Sequence, residues 1–262
     1  MMTYTLITGA TGGLGKAYCR ACAELGENLF LTARDGERLA VLAASLRTAY
    51  AVDVRYFPCM LQDERAREEL FNAIRGEGLL FSRLINVAGA DIQKAFSEYT
   101  QEKIVLQTRV NFEAAVSLAR FVLDVRAPAL EILTVSSVSG IYPMPYFALY
   151  SATKKALEQF FSALRVELKD KNVKVTTVLP GGMPTRKDIC EQIEGQGIWG
   201  KIATKSPSFV AERSLRAAAK NKRVYIPGLA NKLMAFFTAP LPLSWKMKFI
   251  AARWSKISKD AF

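Results

Sequence analysis

Histidine is absent from the 262 residues of this sequence. Imidazole is a common general base and metal ligand in enzymes, so its absence excludes a Ser-His-Asp triad and any histidine-bound metal. The four cysteines are Cys19, Cys22, Cys59 and Cys190, and they do not form the two CxxC pairs of a zinc site. We therefore expect no metal in the functional site, and proton transfer there must use another kind of side chain.

The first residues lack the pattern of a secretory signal, which needs a basic stretch followed by an apolar one. The sequence instead begins a β-rich run at Thr3. We therefore expect a cytoplasmic protein. The C-terminal part is rich in apolar residues, but it contains no run of about 20, the length that spans a bilayer.

Acidic residues are scarce at the C-terminal end. Residues 220–262 contain nine Lys or Arg and one acid, Asp260, so they carry a charge of +8 out of the net +12. The remainder of the chain is only mildly basic. Clustered positive charge can indicate nucleic-acid binding, but the sequence contains no recognition motif of that kind, and we expect no nucleic-acid partner.

Apolar β-rich runs alternate with helical patterns through most of the chain, which is typical of a parallel sheet built from βαβ units. Strands are predicted at 3–8, 28–33, 53–58, 83–87, 130–136, 173–179 and 224–226. Helices are predicted at 13–25, 36–50, 63–75, 100–125, 148–169 and 206–219. The pattern predicts an α/β fold, a doubly wound Rossmann-type parallel sheet of about seven strands with helices on both faces. We expect residues 1–228 to form this domain and 229–262 to form a basic, amphipathic, helical extension of it.

A glycine-rich loop, TGATGGLG, follows the first predicted strand and opens the first predicted helix. Such a loop brings backbone N–H groups and a helix N-terminus to a pyrophosphate. Glycine lets the phosphate approach without meeting a Cβ atom. The motif therefore predicts a dinucleotide site. The expected contacts are Thr8, Gly9, Thr11, Gly12, Gly13, Leu14 and Gly15.

The residue that ends the second predicted strand bears on the choice of dinucleotide. NAD-binding domains usually place Asp or Glu there, to hold the ribose 2′-hydroxyl. This sequence has Arg34, whose planar guanidinium can hold a 2′-phosphate. Asp35 follows directly, so the charge at this point is mixed. We predict NADP(H) as the cofactor and keep NAD(H), with Arg34 as a solvated turn residue, as the alternative.

Tyr150 and Lys154 lie four residues apart on a predicted helix, and therefore on one face of it. A tyrosine hydroxyl has an ordinary pKa of about 10, and a nearby ammonium favours the phenolate and lowers this pKa. The fifth predicted strand ends at Ser136 and Ser137, beside the crevice where open α/β sheets bind ligands. We predict that Tyr150 transfers a proton, that Lys154 lowers its pKa, and that Ser137 hydrogen-bonds a substrate oxygen.

With these motifs in order, the sequence closely resembles the short-chain dehydrogenase/reductase family over about Thr3 to Ile226. The residues that carry the resemblance are the TGxxxGxG loop, the Asn86-Val87-Ala88-Gly89 run, Asn111, Ser137, the YxxxK pair of Tyr150 and Lys154, and Pro180-Gly181 with Thr185. The resemblance implies an oxidoreductase that transfers a hydride between a nicotinamide and a carbonyl or alcohol group. The C-terminal part is similar to a subgroup allied to acyl-chain and hydroxysteroid carbonyl reductases.

The resemblance also implies roles for single residues. Tyr150 is expected to donate the proton, Lys154 to hold the nicotinamide ribose as well, and Asn111 to fix a water that links Lys154 to solvent. The other expected cofactor contacts are Asn86, Ala88, Gly89, Pro180, Gly181, Met183 and Thr185. Where the family often has an aspartate beside the adenine, this sequence has Met60, so we expect apolar or backbone contact there from Met60 and Leu61.

Substrate specificity in this family lies in the segment after Pro180-Gly181. Ile198 and Trp199 in that segment are expected to belong to a mobile lid that covers a hydrophobic substrate. The other wall is expected to be formed by Ser137, Ile141, Tyr142 and Phe147, just before Tyr150. Ordinary packing by these apolar residues is the alternative. We expect a bulky apolar ketone or aldehyde as the substrate, with lipid-like carbonyls among the candidates.

The C-terminal extension mixes aromatic and aliphatic residues with lysine and arginine. Tryptophan and lysine are typical of a membrane interface, so peripheral membrane contact is one interpretation of this segment. A helical arm that packs over the active site or on a partner subunit is the other. The family often pairs through its two long helices, so we expect a homodimer or homotetramer.

Two other functions are open from the sequence. An NAD-dependent alcohol dehydrogenase would use the same catalytic residues, although Arg34 disfavours it. A non-catalytic protein that senses a dinucleotide would use the same fold. Such proteins commonly lose the tyrosine or the lysine, and this sequence keeps both Tyr150 and Lys154.

Overall fold

Seven parallel strands form one sheet, in the order β3-β2-β1-β4-β5-β6-β7. The computed structural model describes residues 2–184 and 204–255. The strands are β1 Thr3–Thr8, β2 Asn28–Ala33, β3 Val54–Pro58, β4 Leu80–Asn86, β5 Arg126–Val135, β6 Val173–Val178 and β7 Val224–Tyr225. The helices described are α1 Gly13–Glu24, α2 Gly36–Tyr50, α3 Glu64–Gly76, α4 Gln101–Thr108, α5 Ala114–Asp124, α6 Ala148–Glu167, α7 Pro207–Ala219, α8 Leu229–Thr238 and α9 Leu243–Trp254.

The strand order reverses beside β1, which pairs with β2 on one side and with β4 on the other. The chain runs outwards through β2 and β3 and then returns to the centre of the sheet at β4. A crevice opens at the carboxyl ends of the strands where this reversal occurs, and it is the usual ligand site of such sheets. The doubly wound α/β fold expected from the sequence is confirmed.

Helices cover both faces of the sheet, and each face has its own apolar core. On one face, Tyr18 of α1 and Leu39 of α2 pack in the same cluster as Ile7 of β1. On the other face, Phe71 of α3 and Phe161 of α6 share a cluster with strand residues. Because neighbouring strand residues alternate between the two faces, the central strands are buried on both sides and read as continuous apolar runs.

Most element boundaries differ from the sequence-based expectation by at most two residues, and three elements differ more. β4 begins at Leu80 and not at Arg83, because Phe81 is fully buried and packs edge-on against Phe30. β5 begins at Arg126, four residues early. The expected helix over 100–125 is interrupted by a π-helical turn at Arg109–Glu113. Such turns often occur at functional sites, and this one contains Asn111.

Gly15 is placed where only glycine fits. A Cβ atom added there would overlap the carbonyl oxygen of Gly9 and lie 2.8 Å from its carbonyl carbon. We expect Gly15→Ala to lower the free energy of unfolding by about 2 kcal/mol or more, because backbone atoms must move to admit the methyl group. Urea denaturation would measure this change. The control is Gly76→Ala, where a Cβ would meet nothing within 4 Å; equal losses for both variants would contradict this packing argument.

Candidate active site

A large cleft of about 1480 Å³ lies at the carboxyl ends of the central strands. Cavities that hold drug-sized ligands measure about 300–1,000 Å³, so this cleft has room for a dinucleotide together with a second molecule. The lining includes the glycine loop, the end of β2, the start of α6 and the C-terminal helices.

The glycine loop forms a compact turn between β1 and α1. Gly9 has a φ of +61°, which a residue with a side chain rarely adopts, and its carbonyl oxygen accepts a 3.0 Å bond from the backbone N–H of Gly12. No side chain caps the N-terminus of α1 at Gly12. Gly9, Thr11, Gly12, Gly13, Leu14 and Gly15 line the cleft, as expected from the sequence. This geometry fits a pyrophosphate at the helix N-terminus.

Thr8, at the start of the glycine loop, binds the loop after β4 and does not line the cleft. Its hydroxyl accepts hydrogen bonds from the backbone N–H groups of Val87 (2.9 Å) and Ala88 (3.1 Å). Asn86 is also buried, and its amide reaches Thr134 of β5 at 3.3 Å. Both residues were expected to contact the cofactor, but the structure uses their side chains to join the ends of β1, β4 and β5. Ala88 and Gly89 do line the cleft.

Two arginines stand at the end of β2. Arg34 lines the cleft, and so does Arg38 in the first turn of α2, which the sequence analysis missed. Asp35 caps α2 by accepting a 3.0 Å bond from the backbone N–H of Arg38, and it forms a 3.2 Å ion pair with the Arg38 side chain. The acid beside Arg34 therefore has a structural role, because Asp35 caps α2 and holds the Arg38 side chain.

At the end of β3, Met60 is 52% exposed and is not among the residues that line the cleft, whereas Cys59, Leu61 and Gln62 line it. The cofactor contact expected from Met60 stays a prediction. Leu61 is buried as expected. The side-chain carbonyl oxygen of Gln62 is buried and has no hydrogen-bond partner among the described residues. A buried acceptor of this kind fits a ligand N–H donor, such as an adenine amino group.

The catalytic residues expected from the sequence come together at the start of α6. Tyr150 hydrogen-bonds with Ser137, which follows β5 directly. The Lys154 ammonium lies 5.6 Å from the centre of the Tyr150 ring. It donates a 3.0 Å hydrogen bond to the backbone oxygen of Val135, at the end of β5. The ring of Phe147 stacks on the Tyr150 ring at 4.2 Å and fixes its orientation.

Burial dominates the electrostatics of this group. It raises the pKa of Tyr150, the Asp91 carboxylate raises it further, and the hydrogen bond with Ser137 lowers it. Burial also lowers the pKa of Lys154 to about 8, against the opposing effect of Asp91. In this structure the pKa of Tyr150 therefore lies above its ordinary value, with desolvation as the largest cause. The effect expected from Lys154 stays a prediction.

Asn111 is fully engaged by its neighbours. Its side-chain oxygen accepts from the Ala90 N–H at 2.7 Å, and its nitrogen donates to the Ala90 oxygen (3.0 Å) and to the Thr153 hydroxyl (3.1 Å). It therefore joins the loop after β4 to α6. A Cβ atom at Gly89 would lie 3.3 Å from both Asn111 and Lys154, so glycine leaves room for the lysine. The water-fixing role of Asn111 stays a prediction.

The substrate end of the cleft is largely apolar. Ile141, Tyr142 and Phe147 line it as expected, and Met144 does so too. Pro180, Gly181 and Met183 also line it, whereas Thr185, Ile198 and Trp199 lie outside the described residues. Asp91 and Gln93 also line this cleft, and neither was predicted from the sequence. Both come shortly after the Asn86–Gly89 motif, and this position in the sequence could have indicated that they line the site.

The C-terminal extension lies over this end of the cleft. Lining residues come from α8, α9 and the loop between them, namely Asn231, Met234, Ala235, Thr238, Leu241, Trp245, Lys246, Phe249, Ile250 and Trp254. The Tyr142 hydroxyl bonds the Thr238 hydroxyl at 2.9 Å, and the Lys246 ammonium lies 4.0 Å from the centre of the Tyr142 ring. Of the two interpretations of this segment, packing over the active site is therefore observed.

Comparisons with known proteins all point to one family. The family described as short chain dehydrogenase matches residues 3–191. A very-long-chain 3-oxoacyl-CoA reductase of Anas platyrhynchos is 31% identical over 193 residues, which are 70% of this chain and 60% of that protein. The dehydrogenase/reductase SDR family member 7B of Xenopus laevis is 29% identical over 97% of this chain and 82% of that protein. The chain thus spans less than two thirds of the first of these relatives.

Solved structures show the same fold. A 7beta-hydroxysteroid dehydrogenase superposes with a TM-score of 0.84 at 24% identity, covering 95% of this chain and 96% of that one. A short-chain dehydrogenase from Sphingobium yanoikuyae, solved in complex with NADPH, has a TM-score of 0.76 at 26% identity, covering 100% of this chain and 98% of that one. Within the described residues, no group of three or more Cys, Asp or Glu could hold a metal ion.

The buried Lys154 makes stability depend on pH. Its pKa falls from 10.5 to about 8 on folding, so between these values the folded protein binds fewer protons than the unfolded chain. The free energy of unfolding therefore rises with pH across this window. We expect the native protein to gain about 2 kcal/mol relative to Lys154→Met from about pH 8 to about pH 10, measured by urea denaturation.

Lys155→Met is the matched control, because Lys155 is the next residue and its side chain is 44% exposed. This variant should follow the pH profile of the native protein. Parallel profiles for the native protein and Lys154→Met would show that the lysine is not buried as described.

Proposed function

We propose that this chain, which belongs to the short-chain dehydrogenase family, uses NADPH to reduce a bulky, apolar ketone or aldehyde. Members of the family are oxidoreductases that interconvert carbonyl and alcohol groups with NAD(P). One observation supports the choice of cofactor and substrate in this proposal. The hydrogen-bonded Tyr150 and Ser137, with Lys154 beside them, lie between the glycine loop and an apolar wall in one cleft.

The state of Tyr150 suits a proton donor. Because burial raises its pKa, the hydroxyl is protonated at neutral pH, and its proton can be transferred to the carbonyl oxygen. The Ser137 hydroxyl bonds the same oxygen and positions it. Lys154, with a pKa of about 8, is still mostly an ammonium near pH 7 and stabilises the phenolate that remains. The cofactor, when bound, supplies the hydride.

The preference for NADP(H) is supported by Arg34 and Arg38 together. Both guanidinium groups stand at the end of β2, where the ribose 2′-position of a bound dinucleotide is expected. The Asp35 carboxylate also lines the cleft, but it caps α2 and is ion-paired with Arg38, so these contacts offset part of its negative charge. We propose that the adenine amino group bonds the buried Gln62 carbonyl oxygen in place of the missing aspartate.

The proposed substrate class follows from the wall opposite the cofactor loops. It is formed by aliphatic and aromatic side chains from before α6 and from α8 and α9. The relatives are named for very-long-chain 3-oxoacyl-CoA, whose acyl chain is long and apolar, and for hydroxysteroids, whose ring system is bulky and apolar. No observation favours the NAD-dependent alcohol dehydrogenase or the dinucleotide sensor over this proposal. The cytoplasmic location and the homodimer or homotetramer stay predictions.

Tyr150→Phe tests the proposed proton donor. Since the ring and its stacking on Phe147 are kept, the protein should fold and bind NADPH as before. We expect kcat to fall by about 10²- to 10⁴-fold, the usual contribution of a general acid. The measurement is NADPH oxidation with a panel of long-chain and steroid ketones, and NADPH affinity by fluorescence. Tyr56→Phe, on the outer strand β3, is the control; a Tyr150→Phe variant that retains turnover would refute the role.

Arg34→Ala and Arg38→Ala test the cofactor preference. Loss of a charged hydrogen bond to a 2′-phosphate should weaken NADPH binding by about 10- to 100-fold for Arg34→Ala. NADH binding should hardly change, because NADH lacks that phosphate. Arg120→Ala, an exposed site on α5 outside the cleft lining, is the control. Tighter binding of NADH than of NADPH by the native protein would defeat the NADP(H) proposal.

A further inference from the structure

Helix α8 has an inner face towards the cleft and an outer face towards solvent. Its inner face, with Asn231, Met234, Ala235 and Thr238 at helical spacing, lines the cleft. Its outer face carries Leu229, Leu233, Phe236 and Phe237, and the two phenylalanines are 71% and 66% exposed. A helix face made of large apolar side chains is normally buried. The outer face of α8 therefore requires an apolar partner that the described part of the chain does not supply.

This outer face continues onto α9. Of the 17 large apolar side chains that are exposed among the described residues, ten lie between Leu229 and Phe249. On α9, Leu243 and Met247 are exposed, and Trp245 and Phe249 are 67% and 69% exposed. Exposed apolar side chains scattered singly are normal, but this many within one short segment indicate a docking surface. We call these residues of α8 and α9 the outer face.

The charge of the same segment selects the kind of partner. From Leu229 to Ser255 there are four cations, Lys232, Lys246, Lys248 and Arg253, and no acid. Two copies of this chain meeting through the outer face would bring like charges together. An anionic lipid surface instead offers both an apolar layer and negative charge, and aromatic rings with lysines suit its interface. No helix that the structure describes is long and apolar enough to cross a bilayer.

Trp245 and Phe249 connect the outer face with the cleft. Both are largely exposed, and both also line the cleft. With Leu241 and Ile250 they belong to the same cleft lining as Tyr142. A molecule that enters between them from a lipid layer meets apolar side chains first.

We propose that the outer face docks the enzyme on an anionic bilayer, so that a lipid-dissolved carbonyl substrate enters the cleft directly between the rings of Trp245 and Phe249. The docking part stands independently of the reaction. The entry part rests on the proposed reductase function.

Docking is tested with the full chain by co-sedimentation with two kinds of vesicle, phosphatidylcholine alone and an equal mixture with phosphatidylglycerol. We expect binding to the mixed vesicles and little binding to the neutral ones. The double variant Phe236→Ser/Phe237→Ser should bind about tenfold or more weakly, and so should Lys232→Gln/Lys248→Gln. These four residues do not line the cleft.

Matched controls alter the same residue types elsewhere. Phe96→Ser/Val41→Ser removes two exposed apolar side chains from the body of the protein, and Lys220→Gln/Lys222→Gln removes two cations outside the outer face. Both controls should bind vesicles like the native chain. If the native chain binds the mixed vesicles and the outer-face variants bind them equally well, docking through the outer face is overturned. It is equally overturned if no vesicle is bound and Phe236→Ser/Phe237→Ser instead abolishes self-association in light scattering.

Entry is tested by kcat/KM with two ketones of the same reactive group, one short and water-soluble and one long and dissolved in mixed vesicles. Phe236→Ser/Phe237→Ser should leave kcat/KM for the soluble ketone unchanged and lower it about tenfold for the vesicle-bound one. An equal loss with both ketones, or no loss with either, overturns entry from the bilayer. If neither ketone is reduced by the native protein, the reductase proposal fails while the co-sedimentation result still decides docking.

Discussion

The buried ammonium of Lys154 is the constraint around which the site is built. Taking this charge out of water is costly, and only close polar partners can hold it there. The Val135 carbonyl oxygen supplies one such partner at 3.0 Å. The lysine fits because glycine occupies two neighbouring positions. A Cβ at Gly89 would crowd the ammonium, and one at Gly140 would lie 2.9 Å from the Lys154 carbonyl carbon.

The same constraint fixes Tyr150. Because α6 is drawn against β5 at Lys154 and Gly140, the tyrosine one turn earlier is held beside Ser137 at the end of that strand. The π-helical turn adds a third point of attachment, since Asn111 joins α6 to the loop after β4. The catalytic hydroxyl is therefore positioned by three separate elements of the fold, and its geometry does not depend on a mobile surface loop.

Most of this arrangement could be predicted from the sequence because its determinants are local. The glycine loop, the spacing of Tyr150 and Lys154 on one helix face, and the alternation of strands and helices are each visible within short windows. What could not be predicted depends on long-range packing. Met60 is largely exposed, whereas the Gln62 side-chain oxygen is buried and Gln62 lines the cleft.

The raised pKa of Tyr150 could not be predicted for a related reason. Proximity of a lysine in sequence says nothing about how deeply both groups are buried, and burial is the larger effect here. The C-terminal segment shows the same limit. Its composition suits both packing over the cleft and contact with a membrane. The sequence alone does not show which residues take which of these two roles. The structure divides α8 into an inner face that lines the cleft and an exposed outer face.

This division links the outer surface of the protein with the loop after β6 that lines the cleft. Asn231, in the first turn of α8, is buried and packs against Gly181, where a Cβ would lie 2.7 Å from its amide nitrogen. Gly181 belongs to the loop after β6 that lines the cleft beside the catalytic group. Helix α8 is thus seated on a cleft-lining loop at one end and bonded to Tyr142 through Thr238 at the other. A partner that holds α8 from outside would therefore also hold the two walls of the cleft in place.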